Sequence, residues 1–319
     1  MRALAAAALL LLGATPAPRV CRMAAPDEAW IDRAIANWRT AERRLLRLAP
    51  QPLPAIYAVD ARCTYRLTGR RWTGKPHGGA IEFPGGNKSA LGPISFATAD
   101  AGGYFAMSLP SVWRAAGVTS GLGLERLMDG VMLHEFMHAR QFYFVTPRLK
   151  ALGQQYGFGD AISDDSLQER WEKVPAYVGA YAKERDTLFA AAAAPEEATA
   201  RRLAGEALAM MRARHARWFT GAEAKWAPLD DVFLQMEGVG QWLFYAWTAA
   251  PFGGRVPAAM ALEETRRGDR QWSQAEGLAL FLVVDRLVSD WQHDAFVPEP
   301  LLAEALLAKA ASGSSPRVR

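Results

Sequence analysis

Only two cysteines and five histidines occur among the 319 residues. Two cysteines allow one disulfide at most. Pairing would tie Cys21, near the mature N-terminus, to Cys63 in the first strand region, and the count alone leaves bridge and free thiols both open. Lys and Arg form no blocks and the formal charge is only +4, so nothing marks a nucleic-acid-binding stripe. Beyond the first dozen residues no run is long and apolar enough to span a bilayer. No solenoid-type repeat recurs. What is present, half hydrophobic and 22% charged, is the composition of a chain that folds around a sizeable core.

The first residues, MRALAAAALLLLGATPA, combine a positive start at Arg2, a short apolar run from Ala3 to Leu12 and small residues at Thr15-Pro16-Ala17. That pattern predicts a secretory signal peptide over 1–17, hence a secreted or periplasmic chain with no membrane span once the signal is removed. An uncleaved anchor is the alternative. Arg19 and Val20 before Cys21 are poor neighbours for lipid attachment.

Apolar residues at helical spacing from Trp30 to Leu46 predict a helix over 27–48, which Pro50, Pro52 and Pro54 end. From 55 to 110 the chain is rich in Gly and Pro. Short candidate strands are AIYAV, CTYRL, AIEF, ISFAT and YFAMSL, with Gly-Gly pairs as turns between them. From Leu122 onward the spacing predicts helices near 123–146, 164–192, 196–217, 231–249, 256–267, 273–292 and 298–311, the second and third forming a hairpin. A helix and small sheet over 27–121, followed by helices over 122–312, make an α+β class. Residues 18–312 show no boundary clean enough to split, and 313–319 form a polar tail.

Two of the five histidines stand four apart in the apolar stretch GVMLHEFMHARQF, with a glutamate after the first. On a helix His134 and His138 share a face one turn apart. Glu135 lies about 100° further round, beside the point where the imidazoles converge. Two imidazoles and a neighbouring carboxylate suit Zn²⁺ with an open position, and Glu135 then serves as general base for an activated water.

The stretch HEFMHARQF resembles the active-site helix of zincin-type metallopeptidases. The metzincin extension is missing, because Gln141 and Phe144 stand where its Gly and third His belong. No Gly-Thr-x-Asp element of the aspartate-ligand type occurs either. The resemblance therefore implies a gluzincin-like fold, with the small, mostly antiparallel sheet packed on the HExxH helix and a glutamate ligand from a later helix, often within E-G-x-A-x-aromatic. Three sites compete: Glu237 in MEGVGQW, Glu172 in WEKVPAY and Glu276 in AEGLALF. Glu237 is favoured for its apolar surroundings, with Gly240 replacing the usual Ala. Glu172 sits among Glu169, Arg170 and Lys173, which suits a solvated face. Ser273 and Glu276 have capping-box spacing.

The resemblance further implies a donor for a developing oxyanion, for which Tyr177, Tyr181, Tyr245 and His215 are candidates. An edge strand that pairs with a peptide is also implied, and the segment GGYFAMSLPSVWR is placed to supply it. The expectation is an exported zinc peptidase acting on peptide or protein substrates. Its rivals are a helical protein with a structural metal site and a glycan- or envelope-binding module built on the eleven tryptophans, which core packing explains better.

Overall fold

A computed structural model describes residues 20–159, 162–266, 268 and 270–313. The signal-peptide segment and all but the first residue of the polar tail lie outside them. Helix α1 (Ala25–Arg44) carries Pro26 in its first turn and buries Trp30, Ile31, Ala34, Trp38 and Ala41 on one stripe. Five strands follow in one sheet: β1 (Ala55–Val59), β2 (Cys63–Thr68), β3 (Arg71–Pro76), β6 (Ser95–Thr98) and β7 (Tyr104–Ser108). A separate two-stranded hairpin joins β4 (Ile81–Glu82) to β5 (Lys88–Ser89).

The sheet order is β3-β2-β1-β7-β6. Only β1 and β7 are parallel, with Ile56 opposite Phe105; the other pairings are antiparallel. Alternation gives the sheet two apolar faces. Ile56, Ala58, Tyr65, Phe105 and Met107 join the main core, and Val59, Tyr104 and Ala106 pack with Ile81 and Phe83 of the small hairpin. Cys21 and Cys63 are bridged, Cα atoms 6.0 Å apart. Strand β3 escapes the sequence pattern because RWTGKP carries Gly and Pro and is almost wholly exposed; pairing with β2 makes it a strand.

The remainder is helical among the described residues: α2 (Pro110–Ala115), α3 (Leu124–Tyr156), α4 (Ser166–Trp171), α5 (Pro175–Ala193), α6 (Glu197–Trp218), α7 (Trp226–Ala249), α8 (Ala258–Arg266), α9 (Trp272–Leu287), α10 (Trp291–Phe296) and α11 (Ala303–Ser312). Helix α2 is unexpected, α7 and α11 begin at Trp226 and Ala303 rather than near 231 and 298, and three further differences have a clear physical cause. Helix α3 runs through Pro147 to Gly157, whose φ of 70° closes it. Pro147 lies on the solvent side, one turn after exposed Tyr143, so water can serve the carbonyl that its missing N–H leaves unbonded. The stretch 164–192 is two helices, because Pro175 forces Val174 out of the α region (φ −107°, ψ 96°). The stretch 273–292 also breaks, at extended Val288 and left-handed Asp290. Helices α5 and α6 form the expected hairpin, and α7 packs between α3 and α9. The fold is thus mixed α+β, a small sheet against a mostly helical body.

Candidate metal centre

Much of the first half of α3 is turned into the core. Leu127, Met128, Met132, Leu133, Phe136 and Met137 are buried, so the helix sits inside the core with its two histidines. The imidazoles of His134 and His138 stand 4.5 Å apart, centre to centre, at 89°. Glu237 comes from the middle of α7, where Leu234, Val239, Trp242 and Leu243 are likewise buried. His134 Nε2 lies 3.1 Å from Glu237 Oε2, and His138 Nε2 lies 3.2 Å from Glu237 Oε1. All three side chains are buried, and their donor atoms fall within 4.8 Å of one another.

Missing side chains let the helices come this close. A Cβ on Gly240 would stand 2.8 Å from His134 Nδ1 and 3.0 Å from its Cγ. A Cβ on Gly238 would stand 2.7 Å from Gly277 Cα on α9. On α3, a Cβ at Gly130 would enter the ring of Phe244. Helix α7 therefore meets both neighbours at bare backbone.

Burial alone would push the Glu237 carboxyl up. The charges of His138 and His134 and hydrogen bonds from His134 and Gln274 outweigh it and hold the group down at about 2. Burial opposes protonation of His134, but the hydrogen bond and charge of Glu237 win and raise it. The Asp164 carboxyl is raised to about 7, by burial first and then by the charge of Glu237. The donor set fits a small divalent cation. Bonds of about 2.0–2.1 Å in a tetrahedron place neighbouring donors about 3.3 Å apart, close to the two N–O separations seen.

Glu135 is half-buried on the flank of α3 that faces β6. Ser95 Oγ on that strand donates to Glu135 Oε1 at 3.3 Å. The edge strand beside the motif helix is thus β6, not the GGYFAMSLPSVWR segment expected from sequence. Strand β7 lies between β1 and β6 with all five residues buried, because Tyr104 to Met107 is apolar on both faces and the Ser108 hydroxyl donates to the Gly92 carbonyl.

The other glutamates go elsewhere. Glu172 is exposed at the C-terminal end of α4. Glu276 is fully buried but turns away from the histidines, accepting from Arg214 Nη2 at 3.2 Å. Nor does it form a capping box: Gln271 occupies the N-cap of α9, and Ser273 Oγ is buried without a partner. Arg214 also binds Glu184 (2.8 and 3.0 Å), Asp230 (3.0 Å) and the Tyr177 hydroxyl (2.8 Å). This buried cluster absorbs two oxyanion candidates, since His215 Nε2 pairs with Asp230 Oδ2 at 2.8 Å. The Tyr181 hydroxyl donates to the Trp272 carbonyl at 3.0 Å. Tyr245 is half-buried on α7, raised by burial and then by the charge of Asp285. Among the described residues none of the four is hydrogen-bonded to the trio. Gln274 and Asp164 went unnoticed in the sequence. Gln carries no chemistry of its own to flag it, and an Asp pair before a helix reads as a cap.

Comparisons with protein-family models, with curated proteins and with solved structures find no match, so the centre stands on its own geometry.

Proposed function

We propose that this chain is a metal-dependent hydrolase of gluzincin-like design, a zinc peptidase acting on peptide or protein substrates. His134, His138 and Glu237 would hold the ion. The observation that carries the reading is the convergence of both Nε2 atoms on the two oxygens of one buried carboxylate, with Glu135 on the adjoining flank. Two imidazoles and one carboxylate are the ligand set of catalytic zinc sites with an open position. When bound, zinc supplies Lewis acidity that polarises a carbonyl and makes water nucleophilic near neutral pH. A structural site closed by protein ligands has no need of Glu135.

In this reading Glu135 takes a proton from the attacking water at Oε2, the oxygen that Ser95 leaves free, and passes it to the leaving amine. Ser95 orients the carboxylate through Oε1. The open edge of β6 offers backbone groups for a substrate laid down as an added strand. The apolar packing of α3 keeps water from the inner side of the site. The N-terminal pattern supports export to the periplasm or medium. No helix among the described residues is long and apolar enough to cross a membrane.

The test is metal content and turnover of a peptide library by the purified chain. Glu135→Gln should retain metal and lose turnover, and chelation should remove both. Turnover untouched by either treatment would sink the proposal. Bound metal with no turnover would return the centre to a structural role.

A further inference from the structure

Imidazoles that bind metal usually lean on an outer carboxylate or carbonyl that fixes the ring. Here His138 Nδ1 is buried without a partner, and the Nδ1 side of His134 rests on the bare backbone of Gly240. The polar support goes to the carboxylate instead. Gln274 Nε2, on α9, donates to Glu237 Oε2 at 3.1 Å. Gln241 Nε2, one turn beyond Glu237 on α7, donates to Gln274 Oε1 at 2.6 Å.

The amide of Gln274 can face only one way. A carboxylate accepts and never donates, so Nε2 must point to Glu237 and Oε1 is left for Gln241. The bridge spans Glu237 and Gln241, which stand four apart on one face of α7. It is reachable because Gly238 and Gly277 bring α7 and α9 into backbone contact, which sets Gln274, nearly one turn before Gly277, beside the carboxylate. The second Glu-Gly pair of the sequence therefore belongs to the helix that braces the first. Gly277 makes the contact while Glu276 turns to Arg214.

We infer that Gln274, held by Gln241, is a positioning residue for the metal centre. It locks the Glu237 carboxylate in the orientation that faces both Nε2 atoms and thereby sets the affinity for the cation. This rests on the metal-centre reading above. Without the amide, the buried carboxylate loses the donor it has beside the two imidazoles and can turn about its last bond, away from the histidines.

Metal-free parent, Gln274→Leu, Gln241→Leu and the double variant are titrated with Zn²⁺ alone against a chromophoric chelator. Thermal unfolding of each metal-free chain is measured alongside. Gln274→Leu should bind roughly 10- to 100-fold more weakly, the usual loss for an outer support, with the metal-free Tm little changed. Gln241→Leu should lose less, since the direct bond to Glu237 survives. The double variant should be no weaker than Gln274→Leu, because both residues act through one contact. Gln274→Met, unbranched and of similar length, replaces Gln274→Leu if the latter does not fold. Affinity within about threefold of the parent in the Gln274 variant, a Tm that falls in step with affinity, or losses that simply add would each overturn the inference. A folded parent that binds no Zn²⁺ would instead remove the metal centre itself, a result distinct from all of these.

Discussion

Replacing Gly240 by Ala adds one methyl group where α7 meets His134. An ideal Cβ there lies 2.8, 2.9 and 3.0 Å from Nδ1, Cε1 and Cγ of the imidazole. Ordinary contact begins near 3.4 Å, so about 0.5 Å of relief is required. The ring is hemmed in. Its Nε2 is engaged with Glu237 Oε2 at 3.1 Å, and the His138 ring stands 4.5 Å away. Either α7 backs off from α3 or His134 tilts. Overpacking of this kind costs about 1–3 kcal/mol, while helix propensity favours Ala over Gly by about 0.8–1.0 kcal/mol. Those two effects partly cancel in the metal-free Tm, which should fall only modestly. They do not cancel in metal affinity, since propensity does not act on the ion, and a displaced donor should weaken Zn²⁺ binding by about tenfold or more. The assay is the chelator competition, with Tm measured free and loaded. A Gly240→Ala chain that binds Zn²⁺ as the parent does would refute the claim that the missing side chain sets the approach of the ligand helix. It would also make the departure from the Ala of the resembling pattern incidental.

Asp129 offers a pH test. Burial first, with Glu125 adding, raises its carboxyl to about 6 despite the charge of Arg33. A folded value above the unfolded one means that the native state holds the proton longer. Its stabilising share is complete below about pH 4 and is lost as pH rises through about 6, roughly 3 kcal/mol in all. Asp129→Asn keeps an acceptor for Trp30 Nε1, now 3.0 Å away, and cannot ionise. In urea melts its advantage over the parent should grow by about 2–3 kcal/mol between pH 4 and pH 8; a constant difference would contradict the burial argument. The Cys21–Cys63 bridge spans 42 positions, for which loop entropy gives about 4 kcal/mol. Replacing both cysteines by Ser should lower the unfolding free energy by up to about that amount, and an unchanged urea midpoint would contradict it.

The trio at the centre was legible because its chemistry is concentrated. Two histidines one turn apart define a face, and an acid in an apolar helix with no base within a turn must find its partner elsewhere in the fold. Glu276 shows where sequence stops. Its local pattern matches that of Glu237, and which of the two turns toward α3 depends on how two helices are rotated about a shared Gly–Gly contact. Two of the oxyanion candidates are engaged elsewhere for a related reason. Tyr177 and His215 belong to a cluster assembled from Glu184, Arg214, Asp230 and Glu276, and no local period brings those four positions together. The strands were readable where β-branched and aromatic residues alternate. Strand β3 was not, since pairing rather than propensity makes it. The edge strand was misplaced by one, because the order of β6 and β7 across the sheet is a topological fact that neither strand records.

Glycines 130, 238, 240 and 277 have a bearing on how this chain can vary. Each sits at a helix crossing: a Cβ at Gly238 or Gly277 meets backbone and moves a whole rod, whereas one at Gly130 or Gly240 meets the ring of Phe244 or His134. Variation can therefore accumulate at the exposed tip of the β2–β3 hairpin or at the helix termini with little effect on the buried histidines. At Gly238 and Gly277 a larger residue would need compensating changes on α7 and α9 together.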